Sequence, residues 1–296
     1  MANRSPISSP TLEQPLSGKT CLVTGASTGI GKATAGQLAR LGAKVIMVCR
    51  TRERGERALL ELELALGSGN LYLLVADLSS QREVRRLAEE VRKHFAGLHV
   101  LVNNAGLFSA ARRLTEDGIE KTLAVNHLAP FLLTRLLRDR LKAGAPSRVI
   151  NVGSAAYRQG RIRFEDLSFE RGYNAFAAYA QSKLALLLQS LELAERLAGS
   201  GVTVNCLHPG LTATEIFRDY APIWRLILRP FCASPQRAAR SSVFLASDPG
   251  LQAVTGRFFI GRRPAVLARH AQQAALRKEL WELSEALTRP RGAPGL

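Results

Sequence analysis

The 296-residue sequence predicts one α/β domain, a doubly wound parallel sheet of about seven strands between two layers of helices. Short β-rich runs alternate with amphipathic helical stretches from Lys19 almost to the end. Those runs are short and β-branched, as strands covered on both faces tend to be. A chain of this length with 46% apolar residues buries a full core without a second module.

Residues 1–18 are polar and rich in Ser and Pro, which predicts a disordered lead-in. They offer only Arg4 and scattered hydrophobes, not the basic start and apolar run of a secretory signal. The domain proper is expected over residues 19–261. Its strands are predicted at Thr20–Val23, Lys44–Val48, Leu71–Ala76, Val100–Val102, Val149–Val152, Val202–Leu207 and Phe258–Ile260. Helices are predicted at Ile30–Leu41, Glu53–Leu66, Gln81–Phe95, Glu116–Leu141, Ala178–Leu197 and Pro235–Ala246, where apolar residues recur three and four apart. Two stretches, residues 156–176 and 211–234, break this rhythm. Both emerge at the carboxyl ends of strands, where open α/β sheets hold ligands, and are the expected substrate loops. Residues 262–296 are expected to form a C-terminal helix and a Pro/Gly-rich tail.

A net charge of +17 raises the question of an acidic partner. The 33 Arg and 8 Lys are spread in singles and pairs, without a long basic run or interleaved aromatic platform, which argues against nucleic acid. Solvated helix faces account for most of the charge, leaving at most peripheral contact with an anionic membrane surface. No run reaches the 18 apolar residues of a spanning helix, so a cytoplasmic location is expected. Cys21, Cys49, Cys206 and Cys232 are widely separated without metal-ligand spacing; reduced thiols and no metal site are expected.

After the first predicted strand comes Thr24-Gly25-Ala26-Ser27-Thr28-Gly29-Ile30-Gly31, leading into a helix. One glycine permits the tight turn, one the approach of a pyrophosphate and one close helix packing, while Ser27, Thr28 and Ile30 bring the amides of the helix start to the ligand. The second strand ends in Arg50, with no acid there to hold ribose hydroxyls. A guanidinium suits a 2′-phosphate, so NADP(H) is expected in preference to NAD(H). Asp77 closes the third strand, where it either caps the next helix or, with Leu78, meets the adenine amine.

Tyr179 and Lys183 lie four residues apart, on one face of a predicted helix. Ser154 ends the strand before them, Asn103-Asn104-Ala105-Gly106 ends the fourth strand, and Asn126 falls in the long helix between. With the glycine turn, this order resembles the short-chain dehydrogenase/reductase family over Lys19 to Ile260. Cys49-Arg50, Val125-Asn126-His127, Phe131-Leu132-Leu133-Thr134 and Leu207-His208-Pro209-Gly210 resemble its retinol dehydrogenase-like branch. The resemblance implies a Rossmann-type fold and NADP(H)-dependent hydride transfer on a lipophilic carbonyl or alcohol. Tyr179 is then the acid/base, its phenol made more acidic by Lys183, and Ser154 donates to the substrate oxygen. Asn126 is expected to hold a water that links Lys183 to solvent. Asn104, Ala105, Gly106, Pro209, Gly210, Thr212 and Thr214 join the cofactor contacts, and Ile216 to Phe231 becomes a lid. Gly153 and Ala129-Pro130 depart from the family's usual wording. A homo-oligomer built on the helices from Glu116 and Ala178 is expected. The competing function is a non-catalytic regulator that senses NADP(H), which would have no need of Tyr179 and Lys183 together.

Overall fold

The computed structural model describes residues 14–67, 70–210 and 234–290. Thr212, Thr214, Cys232, the expected lid and the end of the tail lie outside the described residues. One sheet runs through the molecule in the order β3-β2-β1-β4-β5-β6-β7-β8. Its strands are β1 Thr20–Thr24, β2 Lys44–Cys49, β3 Leu71–Val75, β4 Val100–Asn103, β5 Ser147–Val152, β6 Val202–His208, β7 Arg257–Ile260 and β8 Arg263–Pro264. All pair in parallel except β7 with β8. The sheet thus has eight strands rather than about seven. Gly261, at φ 62°, reverses the chain after β7, and a two-residue strand ending in Pro is too short to show a period.

Successive residues of the buried strands face opposite layers, as the two-residue period of a strand requires. Leu22, Ile46, Leu101, Val149 and Val204 pack with Leu87, Val91, Phe131 and Leu133 on one side. Cys21, Val23, Val45, Met47, Val102 and Ile150 pack with Ala35, Leu38, Ala58 and Leu245 on the other. The second layer consists of α1 Gly29–Arg40, α2 Arg52–Leu66 and the helix Pro235–Ser247. The first holds α3 Gln81–His94, the segments that replace the predicted long helix, and α7 Ala175–Arg196. Chain order reverses between β1 and β4, and that switch point opens a crevice at the strands' carboxyl ends.

The helix predicted over residues 116–141 is broken into α4 Lys121–Leu123, a π-helical turn Ala124–Leu128, α5 Ala129–Leu136 and α6 Arg138–Ala143. Gly118, at φ 77°, turns the chain before the first piece, and the Glu120 carboxylate accepts the amides of Thr122 and Leu123 at 2.9 and 2.8 Å. Pro130 has no N–H to give the Asn126 carbonyl four residues back, and the Ala129 N–H bonds to the Ala124 carbonyl, five back. The unusual Ala129-Pro130 wording thus coincides with a widened turn that carries Asn126.

With α8 for Pro235–Ser247 and α9 for Ala274–Leu287, the C-terminal segment is part of the fold. Helix α9 lies across α5 and α7: Trp281 meets the Phe131 ring at 4.8 Å and carries the Arg196 guanidinium 4.5 Å from its centroid. It occupies part of the surface on which the resemblance placed a subunit contact. Of the expected lead-in, residues 14–18 are described: Leu16 is buried and its N–H bonds to the Leu41 carbonyl at 2.9 Å. Gln14–Gly18 therefore rests on the domain.

Candidate active site

A cleft of about 840 Å³ opens at the switch point and is lined from Gly25 to Gly210. Its floor on one side is the glycine turn. Gly25 and Gly29 have φ of 66° and 57°, a region costly for residues with a Cβ. A Cβ on Gly31 would lie 2.2 Å from the Gly25 carbonyl oxygen and 2.4 Å from Asn104 Nδ2, so only glycine lets α1 start this close to β1. Thr24 locks the turn to the end of β4, its Oγ1 accepting the amides of Asn104 and Ala105 at 3.0 and 2.9 Å. Asn104 Nδ2 answers by donating to the Thr24 carbonyl at 2.8 Å. Ser27, Thr28, Ile30, Ala105 and Gly106 all line the cleft. A cradle in which a Cβ would collide, at the start of a helix with no acidic residue in its first turn, fits a dinucleotide pyrophosphate.

Arg50 is exposed at the end of β2 and lines the cleft, joined by Arg54 in the first turn of α2, a residue the sequence reading did not single out. Its signal was available: Arg54 sits four residues past Arg50, at the helix start facing the same crevice. Asp77 and Leu78 also line the cleft. The Asp77 carboxylate accepts both the amide and the hydroxyl of Ser79, at 2.9 and 2.8 Å, while Ser80 is the residue that caps α3.

Ser154, Tyr179 and Lys183 meet at the cleft wall, Ser154 just after β5 and the other two on α7. Lys183 is 3% exposed and donates to the Val152 carbonyl at 2.9 Å. Burial loosens its proton and lowers its pKa to about 8. Burial also pushes the Tyr179 phenol up, opposed by a hydrogen bond with Ser154. The Lys183 ammonium lies 5.7 Å from the phenol ring centroid and is directed at the Val152 carbonyl. Asn126 is fully buried, with Oδ1 accepting the Leu107 amide at 2.8 Å and Nδ2 donating to the Leu107 carbonyl and Ser182 Oγ, both at 2.9 Å. Ser182 Oγ in turn donates to the Tyr179 carbonyl at 2.7 Å, tying the π-helical turn to the helix that carries the phenol. A Cβ on Gly106 would lie 3.3 Å from Lys183 Nζ and 3.4 Å from Asn126 Oδ1, so this glycine brings both to the end of β4.

Gly153, the other departure from family wording, has a steric cause. A Cβ there would lie 2.7 Å from Cys206 Sγ and 3.1 Å from the Leu207 carbonyl oxygen. Beyond the expected set, Phe108, Phe176 and His208 line the cleft, the Phe108 ring 5.8 Å from that of Tyr179. Of the loop 156–176, Ala156, Arg158, Gln159 and Phe176 reach the cleft, while Tyr157, Ile162 and Phe169 are buried. Gln181 of α7 pins that loop, accepting the Arg163 amide and donating to the Leu167 carbonyl, both at 3.0 Å. Pro209 and Gly210 line the opposite edge. Cys21, Cys49 and Cys206 are buried free thiols, and among the described residues no group of three or more His, Cys, Asp or Glu could hold a metal. No helix among those residues is long and apolar enough to cross a membrane.

Comparison with known proteins agrees with this geometry. Residues 19–222 match the family model of short chain dehydrogenases. Retinol dehydrogenase 14 of Homo sapiens is 42% identical over 91% of this chain and 86% of its own length. Retinol dehydrogenase 13 of Homo sapiens is 41% identical over 91% and 84%. Among solved structures, an uncharacterized protein from Mycobacterium Paratuberculosis superposes with a TM-score of 0.76 at 35% identity, over 92% of this chain and 94% of that one. The NADP complex of Pseudomonas aeruginosa RhlG superposes with a TM-score of 0.68 at 31% identity, over 84% and 96%. Glycine turn, switch-point cleft and the Ser154, Tyr179, Lys183 group thus occur together in a chain that belongs to the short chain dehydrogenase family, in its retinol dehydrogenase-like branch.

Proposed function

We propose that this oxidoreductase uses NADP(H) to interconvert the carbonyl and alcohol forms of a lipophilic substrate. The observation that carries this reading is the convergence of Ser154, Tyr179 and Lys183 on the cleft that begins at the glycine turn. Bound nicotinamide would supply or accept the hydride. Tyr179 hands its phenolic proton to the carbonyl oxygen in reduction and takes it back in oxidation. Ser154 Oγ donates to the same oxygen, where negative charge grows as hydride arrives. Lys183, buried beside the phenol, is the source from which Tyr179 regains its proton and would also hold the nicotinamide ribose. Asn126 would hold a water that links Lys183 to solvent. Gly25, Ser27, Thr28, Gly29, Ile30, Gly31, Asn104, Ala105, Gly106, Pro209 and Gly210 would shape the cofactor's bed, with Asp77 and Leu78 at the adenine, while Thr212 and Thr214, proposed as further cofactor contacts, lie outside the described residues.

NADP(H) is favoured over NAD(H) because Arg50 and Arg54 both reach the cleft at the end of β2, where no acid stands. Phe108 and Phe176 favour a greasy substrate, in keeping with the retinol dehydrogenases among the relatives. A cytoplasmic location with at most peripheral membrane contact goes with this reading. Homo-oligomerisation would use surfaces other than the side of α7 covered by α9. The test is NADPH oxidation by purified protein against retinal, aliphatic aldehydes, quinones and steroids, with NADH in parallel. Turnover of lipophilic carbonyls with NADPH, lost in Tyr179→Phe, is the expected result. A Tyr179→Phe protein as active as wild type would refute the reading.

A further inference from the structure

Ser182 and Gln189 lie seven residues apart on α7, two turns along one face, and both meet the segment that carries Asn126. Ser182 holds the Asn126 side chain. Gln189, 3% exposed, holds the backbone that follows. With its amide oriented so that both ends are satisfied, Nε2 donates to the His127 carbonyl at 3.2 Å and to His127 Nδ1 at 3.0 Å, while Oε1 accepts the Phe131 N–H at 3.1 Å. The amide thus bridges a carbonyl and an N–H that a regular helix would join to each other. The His127 ring fixes that orientation. Because Nδ1 accepts, Nε2 carries the hydrogen and donates to Ser284 Oγ of α9 at 2.8 Å, and Ser284 in turn donates to the Leu280 carbonyl at 2.7 Å. Burial lowers the imidazole's pKa to about 3, so the ring stays neutral and keeps this tautomer at neutral pH.

The consequence falls on Asn126. Its Nδ2 hydrogens are engaged by the Leu107 carbonyl and Ser182, and its Oδ1 accepts the Leu107 amide. A helix could offer its backbone carbonyl the N–H of residue 129, 130 or 131. Ala129 bonds instead to the Ala124 carbonyl, Pro130 has no N–H, and Phe131 gives its own to Gln189. We propose that Gln189 is a positioning residue for the reaction: by holding the Phe131 N–H, it keeps the Asn126 carbonyl open to the water that links Lys183 to solvent. This role rests on the reading under Proposed function, in which that water lets Lys183 regain a proton after each reduction. Without the Gln189 amide, the Phe131 N–H turns to the Asn126 carbonyl five residues back, and the π-helical turn extends over the acceptor that the water needs. Proton return then slows, while the glycine turn and the cofactor's bed are untouched.

The experiment compares wild type, Gln189→Leu, Gln189→Glu and Pro130→Ala in NADPH-dependent reduction, in water and in deuterium oxide, with a thermal melt of each. Gln189→Leu keeps the bulk of the side chain without a hydrogen bond, and Gln189→Glu keeps an oxygen for the Phe131 N–H. Pro130→Ala leaves α7 intact and gives the Asn126 carbonyl a donor of its own. Gln189→Leu and Pro130→Ala should each lower kcat about tenfold or more and enlarge the solvent deuterium effect on kcat, with KM for NADPH within about twofold. Gln189→Glu should keep kcat within about threefold of wild type. Full kcat or an unchanged deuterium effect in Gln189→Leu, or a Gln189→Glu protein as impaired as Gln189→Leu, would overturn the role and leave the oxidoreductase reading standing. Should Gln189→Leu not fold, Pro130→Ala decides: a lower kcat with a larger deuterium effect supports the role, and an unchanged kcat overturns it. A wild-type protein that reduces nothing would overturn both.

Discussion

Lys183 shows at the scale of one residue how a site can work against the stability of its own fold. Its pKa of about 8, against an ordinary value of 10.5, means that folding favours the uncharged amine. The sign follows from linkage: a lowered folded pKa contributes stability at pH above the unfolded value, and that contribution is lost as pH falls toward the folded one. At neutral pH the chain therefore carries the cost of a buried ammonium. Replacing it by an apolar side chain of similar length, Lys183→Met, is expected to raise stability at pH 7 by about 1–2 kcal/mol after the lost bond to Val152 is set against that relief. Denaturant titrations should show the gain shrinking as pH approaches 10, and turnover should vanish. A destabilised Lys183→Met protein at pH 7 would contradict this account. The proposed catalytic residues were legible because a Tyr and a Lys four apart on a helix, after a strand-ending Ser, already imply a shared face. The places of His208 and Phe108 in the cleft lining were less so, since they depend on which way a strand end and a loop turn.

At the scale of elements, β1 to β7 were read to within two residues at either end from their short apolar runs, while the two-residue β8 was not. The long helix before α7 was not, because its break depends on a missing N–H rather than on any loss of periodicity. Pro130→Ala restores that donor and should let the Asn126 carbonyl take a regular helical bond, closing the π-helical turn. Moving Asn126 by a fraction of a turn would disturb its bonds to Leu107 and Ser182, and roughly a tenfold or greater fall in kcat is expected without loss of fold. Steady-state kinetics beside a thermal melt would check it, and unchanged kcat would speak against a functional turn. The junction of β2 and α2 offers a second test. Each of Arg50→Ala and Arg54→Ala should raise KM for NADPH about tenfold with little change for NADH, a charged hydrogen bond being worth about 1.5–3 kcal/mol. An equal loss for both cofactors would remove the 2′-phosphate from the argument.

For the whole molecule, the least legible part of the sequence was where the last helix goes. Its apolar period announced a buried face without naming the surface it meets, and α9 turns out to cover α5 and α7 of its own chain. The contact is fixed at both ends. Arg277 pairs with Glu195 near the start, while Gln81 Nε2 donates to the Leu287 carbonyl and Arg85 to the Thr288 carbonyl at the finish. In the middle, Trp281 is 5% exposed between Phe131 and Arg196, and its Nε1 is buried without a partner. That unpaired N–H offsets part of the gain from burying the indole. Trp281→Phe is therefore expected to cost under about 1.5 kcal/mol, whereas Trp281→Ala, which empties the site, should cost about 3–5 kcal/mol. Removing α9 after Gln273 would bare the side of α7 that it covers, and sedimentation of such a chain should show association beyond that of the full-length protein. A truncated chain that stays as dispersed and as stable as the whole would mean that α9 contributes little to covering this face in solution.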